Sequence, residues 1–163
     1  MAMNFFLKFD GVMGEVSMEL PEPLSRPIRL YSWNWRAYSL SSVSSGGGSG
    51  AGKVTLEDFT FITQLDRSTP QFFRRIYRGA HIESASLWGK KAGHLEWPWL
   101  EMEFKRLFIT NIQNEGQPFD ELPMVNVAFS FEEVTIDYSV QRSDGNLIST
   151  GPITYNRKEN KLS

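Results

Sequence analysis

Cysteine is absent from this chain of 163 residues, and that absence removes several chemistries at once. It excludes a disulfide, a thiolate metal site and a cysteine nucleophile. Histidine is scarce, with only His81 and His94, and neither stands at a ligand or triad spacing. A surplus of one charge is missing too: Lys+Arg 17 against Asp+Glu 19 gives a formal net charge of −2. No general basic field draws such a chain onto nucleic acid or an anionic membrane. No apolar run approaches the roughly 20 residues that cross a bilayer as a helix. The opening MAMNFFLKFDG lacks a basic segment followed by a long apolar one, so it does not read as a secretory signal. The chain is therefore expected to be made in the cytoplasm, without membrane insertion, and any export has to use another route.

What is present in quantity is alternation of period two. In WLEMEFKRLFI, Leu100, Met102 and Phe104 alternate with Glu101, Glu103 and Lys105, the pattern of a half-buried strand. Val125, Val127, Phe129 and Phe131 alternate likewise, slip by one at Glu132-Glu133, and resume as Val134, Ile136, Tyr138 and Val140. An unbroken strand would turn its apolar face outward there, so the spacing predicts a β-bulge. Val54 and Leu56, then Glu57-Asp58, then Phe59 and Phe61 repeat the device. Further strands are predicted at Asn4–Asp10, Ile28–Tyr38, Glu83–Lys90 and Ile148–Tyr155. Ser143-Asp144-Gly145-Asn146 forms a hairpin turn, and loops run over Pro21–Pro27 and Asn111–Pro123. Only STPQFFRRIYRGA reads as helix: Ser68 or Thr69 caps it, Gln71 completes a capping box, and Gly79 ends it. Phe72, Phe73, Ile76 and Tyr77 make its apolar stripe. The expected fold is mainly β: a compact β-barrel of two curved sheets with one short α-helix packed against it. At 40% apolar content, residues 1–163 suffice for a single domain with a sizeable core, with a Gly/Ser-rich extended loop at about 41–53.

That loop, SSGGGSGAGKVT, comes within one residue of a P-loop: Gly47, Gly52 and Lys53 are in place. A P-loop needs Ser or Thr directly after the lysine to hold Mg²⁺, and it must open a helix. Val54 follows Lys53, and the strand-like VTLEDFTFI follows both. The stretch is a connection between strands.

Other candidates dissolve in the same way. Glu132-Glu133 and Glu101/Glu103 are the ordinary polar positions of strands. Arg74, Arg75 and Arg78 form a basic cluster on the helix, a solvated face or a contact for an acidic partner. Tyr31, Trp33 and Trp35 are predicted to share one face and to fill a core rather than to form a ligand platform. The opposite face then presents Ser32, Asn34 and Arg36 to water, as the wall of a channel does. No enzyme, metal site or cofactor is expected. A non-catalytic sugar-binding module using the five tryptophans is the alternative from a different class.

The stretch GGSGAGKVTLEDFTFITQLDRSTPQFFRRIYRGAHIESASLWGKKAG resembles the central signature of the haemolysin-coregulated protein (Hcp) family of the bacterial type VI secretion system. FFLKFDGVMGE, YSWNWR, FSFEEVTIDYSVQRSDGN and GPITYN extend the likeness, in order, over most of the chain. The resemblance implies a tube protein whose homohexameric rings stack, are tipped by a spike protein, are driven out by a surrounding sheath, and carry small effector proteins in the lumen. It implies export to the extracellular space or a target cell without a signal peptide; some members of the family carry an appended C-terminal toxin domain, and none is expected here, where little sequence follows the last predicted strand. A phage-type tail tube protein has the same architecture. By the same resemblance, Ser32, Asn34 and Arg36 face lumen and effector. The loop Ser45, Gly46, Gly47, Gly48, Ser49, Gly50, Ala51, Gly52 and Lys53 reaches neighbouring subunits, where glycines allow close backbone approach. If so, amide hydrogen exchange over Ser44–Lys53 slows when free rings stack into tubes. Equal rates in the two states would remove the loop from the contact.

Overall fold

In the computed structural model the described residues are 2–17, 20, 24–39, 54–92, 97–119 and 121–163. The Gly/Ser-rich segment at 41–53, with every candidate contact residue from Ser45 to Lys53, lies outside them, as does His94. The elements are β1 (Met3–Phe9), β2 (Ile28–Leu30), β3 (Ser32–Asn34), β4 (Ala37–Ser39), β5 (Val54–Leu56), β6 (Phe59–Gln64), α1 (Thr69–Arg78), β7 (Ile82–Lys91), β8 (Leu100–Glu115), β9 (Met124–Gln141), β10 (Leu147–Ser149), β11 (Ile153–Asn156) and β12 (Lys161–Leu162).

β9 is the spine. β8 pairs along nearly all of one edge. The other edge takes β6 at residues 124–129, β11 at 133–136 and β10 at 139–141. From β8 the sheet continues through β7 and β1 to β2, every pairing antiparallel. The mainly β fold with curved sheets and one helix is as expected, but the barrel is not a closed one. The predicted strand Ile28–Tyr38 is three pieces. β2 pairs with β1, and beyond Tyr31 β3 pairs with β6. β4 leaves to form a separate two-stranded ribbon with β5. The sheet is thus folded over on itself, with its ladder handed from one partner to another at Tyr31.

The phase slip in β9 is real, and its mechanism differs from the expected bulge. Burial runs Val125, Val127, Phe129, Phe131 and then Val134. β8 slips at the same level, from Met102 and Phe104 to Leu107 and Ile109. Register is unchanged across the step: Phe104 faces Val134 and Leu107 faces Phe131. Both strands therefore turn inside out together. Arg106 takes a left-handed φ of 51° there, a conformation uncommon outside glycine. The register shift lies farther along, between Ile109 and Asn111. The extra residue, Thr110, donates from Oγ1 to Asp58 Oδ2 at 2.7 Å. At Glu57-Asp58 the predicted bulge is instead a full break between β5 and β6.

Two connections also differ. β8 runs on to Glu115, so the loop predicted from Asn111 begins only after it. The single last strand is split into β10 and β11 at Gly151, φ 107°. The hairpin turn forms as expected, with Gly145 at φ 86° and its N–H donating to the Arg142 carbonyl at 3.0 Å. Gly14 has a separate cause: a β-carbon there would come within 2.3 Å of the Pro27 carbonyl oxygen.

Helix α1 ends at Gly79 in the left-handed conformation. Its start differs from a capping box. The Ser68 hydroxyl donates to the Asp66 carboxylate and not to a helix amide. Gln71 donates to the carbonyls of Arg67 at 2.9 Å and Met13 at 3.2 Å. Of the predicted stripe only Phe72 is fully buried, edge-on to Phe9 with ring centres 5.1 Å apart. Tyr77 stands 80% exposed. The core is aromatic. Phe129 lies 5.1–5.5 Å from the rings of Phe9, Phe59 and Phe104, contacts worth about 0.5–1.5 kcal/mol each beyond area burial.

Candidate functional site

The register fixes one continuous outer face across four strands. Ser32 and Asn34 of β3 stand opposite Ile62 and Thr60 of β6. Those two stand opposite Asn126 and Ala128 of β9, which face Gln113 and Asn111 of β8. Directly paired residues project to the same side, so these eight form a single surface. These eight carry hydroxyl, amide and apolar groups and no charge; Ala128 is buried among them, and the next row on the same side, Gln64, Met124 and Glu115, adds one carboxylate. Asn126 Oδ1 is buried on this surface and accepts no hydrogen bond from the described residues.

Ser32, Asn34 and Arg36 are all exposed. Arg36 lies beyond β3 and is engaged: its guanidinium is 2.6 Å from Glu57 Oε1 and sits 4.9 Å from the ring centre of Tyr38. Behind this face Trp33 stacks on Phe59 at 5.7 Å, and Trp35 meets Phe131 edge-on at 6.0 Å. Tyr31 does not share their side. It is 54% exposed, because the hand-over at β2–β3 shifts the phase, and its hydroxyl donates to Gln64 Oε1 at 2.7 Å. Thr60, Ile62, Asn111, Gln113, Asn126 and Ala128 were missed by reasoning along the chain. Their period-two spacing was visible, but only the pairing places them beside Asn34.

His81 Nε2 lies 2.6 Å from Glu83 Oε1. Glu132 and Glu133 each face a cation, Arg106 and Lys105, at 3.6 Å. Among the described residues no cluster of histidine, aspartate and glutamate could hold a metal ion. Val54 opens a strand where a P-loop needs a helix. Burial pushes the Glu101 carboxyl above the usual carboxylate range, and Asp137 and Glu103 push it further. The nearby Trp88 indole N–H opposes that rise without making a hydrogen bond of ordinary geometry. Burial likewise lowers the Lys90 ammonium, whose side chain lies 5.0 Å from the Trp88 ring centre. Of the five tryptophans only Trp97 is largely exposed, at 68%; Trp88 and Trp99 are buried.

An aromatic core wrapped by a folded-over sheet, presenting one broad uncharged face, defines a small β-sheet protein built to offer surfaces. The profile of the family described as "Type VI secretion system effector, Hcp" matches residues 6–138, and the chain belongs to this family. Protein hcp1 of Pseudomonas aeruginosa is 30% identical over 156 residues, covering 95% of this chain and 94% of the relative. A solved structure described as a type six secretion system protein superposes with a TM-score of 0.90. It covers 99% of this chain and 100% of its own, and at 19% identity the two share the fold. Hcp1 from Salmonella typhimurium superposes at 0.77, with 28% identity and all of both chains covered.

The Glu101 environment has a consequence for stability. Its folded-state pKa is raised, so ionisation opposes folding at neutral pH and ceases to do so as pH falls through the folded value toward 4.5. Glu101→Gln therefore raises the urea midpoint at pH 7, and the gain vanishes near pH 4. A gain of equal size at both pH values would assign it to packing instead.

Proposed function

We propose that the protein is a structural subunit of the type VI secretion inner tube. Copies close into hexameric rings, the rings stack, and the tube is tipped by a spike protein and surrounded by a sheath. Small effector proteins ride in the lumen. Assembly is cytoplasmic, and export follows without a signal peptide, catalysis or cofactor. Family membership over residues 6–138 supports the tube reading. The four-strand face running from Ser32 and Asn34 to Gln113 and Asn111, whose eight paired residues are uncharged, is the observation that supports reading it as a lumen wall. Amide side chains both donate and accept, so such a wall can hold varied cargo weakly. In this reading Ser32, Asn34 and Arg36 meet effector, and Ser45 to Lys53 contact neighbouring subunits and rings. A sugar-binding alternative would rest on Trp97 alone, and a phage-type tail tube is separated by the genes that neighbour this one.

Negative-stain electron microscopy and sedimentation of the purified chain test the assembly. Six-fold rings with an open centre are the expected result; a uniform monomer over a wide concentration range would overturn it. Asn34→Trp places a bulky ring on an exposed position of β3. It is expected to leave rings intact and to lower effector co-purification. Intact rings with undiminished retention would take Asn34 off the cargo surface.

A further inference from the structure

Helix α1 carries two adjoining concavities that nothing in the tube reading uses. One, of about 670 Å³, is lined by Leu65, Pro70, Phe73 and Tyr77, and by Asp66, whose carboxylate accepts from the Ser68 N–H and hydroxyl. Tyr77 is 80% and Leu65 38% exposed, and the Phe73 and Tyr77 rings lie 5.8 Å apart. The other, of about 210 Å³, lies on the opposite flank against Gly11 and Ala80, and holds Arg75. Arg74 and Arg78 line both. The helix contains no acidic residue. Among the described residues none of its three arginines forms an ion pair with a carboxylate. Arginines in a last turn do complement the helix dipole, which accounts for Arg78. That effect accounts neither for Arg74 one turn earlier nor for an aromatic ring left almost wholly in water.

We infer that α1 is the docking site for an acidic amphipathic helix of a partner protein. Charge complementarity and spacing select that occupant. Arg74 and Arg78 are four residues apart, so their side chains emerge about 5–6 Å from one another. A partner helix with two carboxylates one turn apart meets both with charge-assisted hydrogen bonds. A large apolar side chain on its adjoining face fills the slot between Leu65, Pro70, Phe73 and Tyr77, the helix-in-groove mode of recognition. The proposal does not depend on ring formation.

The probe is a fluorescein-labelled synthetic helix of about 18 residues, five turns, with leucines on one face and glutamates flanking it. Two controls replace its glutamates by lysine or its leucines by serine. Fluorescence anisotropy with the full chain is expected to show saturable binding of the first peptide only. Arg74→Glu/Arg78→Glu and, separately, Tyr77→Ser are each expected to weaken it about tenfold or more, as loss of a central anchor does. Circular dichroism confirms that both variants fold, since these side chains lie outside the core. No binding by the wild type would overturn the proposal. So would equal binding of the serine control, or competition by a heparin fragment that Tyr77→Ser leaves unchanged, because the face would then be a simple polyanion surface. Both variants keep the wild-type sedimentation pattern if the occupant is a different protein. Loss of assembly in Arg74→Glu/Arg78→Glu would give the face to a second copy of this chain instead.

Discussion

The paired step at Lys105-Arg106 and Glu132-Glu133 is the constraint on which the rest of the sheet depends. Strands of 16 and 18 residues cannot keep one side on a small core along their whole length. Where the core ends on one side of the ladder, both strands must show water two consecutive positions and then resume on the other phase. The ion pairs at this step are partly exposed, with N···O distances of 3.6 Å, and such pairs contribute only about 0–1 kcal/mol. Burying Phe104 and Leu107 on one strand, and Phe131 and Val134 on the other, contributes about 1.5–3 kcal/mol per side chain. Burial therefore drives the inversion. The charges mark where it is tolerated, and their pairing keeps the two strands turning at the same level.

That inversion also divides the free edge of β9. Before it the edge belongs to β6, after it to β11. Arg157 fills the junction, its backbone N–H donating to the Glu132 carbonyl at 2.8 Å and its Nη1 to the Phe131 carbonyl at 3.2 Å. β6 pairs along its whole length with the first part of β9 on one edge and takes β3 on the other. The uncharged face around Asn34 runs across these two pairings and on to β8.

Much of this was legible along the chain, and the failures share a cause. The alternation in β8 and β9, the slip at Glu132-Glu133, the hairpin at Asp144-Gly145 and the helix ending at Gly79 each have a local signal. The repair at the slip was misjudged because a bulge is a property of one strand, whereas the inversion is a property of two, and Arg106 carries no mark of a left-handed φ. Tyr31 was grouped with Trp33 and Trp35 by spacing, but a strand that changes partners also changes phase. Tyr77 was placed on the buried stripe because helical spacing is blind to how far the underlying sheet extends. Most of the uncharged face stayed hidden, since its membership is decided by rows of pairing that run from Ser32 to Gln113 and from Asn34 to Asn111.

The distribution of charge then separates two kinds of surface. Among the eight paired wall residues around Asn34 every group is neutral, and Arg36 beyond them is paired with Glu57, while the helix presents Arg74, Arg75 and Arg78 with no acidic residue of its own. In the proposed ring each wall residue recurs in every copy, so one charge there would be multiplied around a narrow bore and would sort cargo by sign. Amides and hydroxyls avoid that summation and still offer hydrogen bonds. Charge on α1 acts differently: with an exposed aromatic ring beside it, it favours one complementary partner over others. A net charge near zero thus conceals a division between a surface that discriminates little and one that discriminates by charge and shape together.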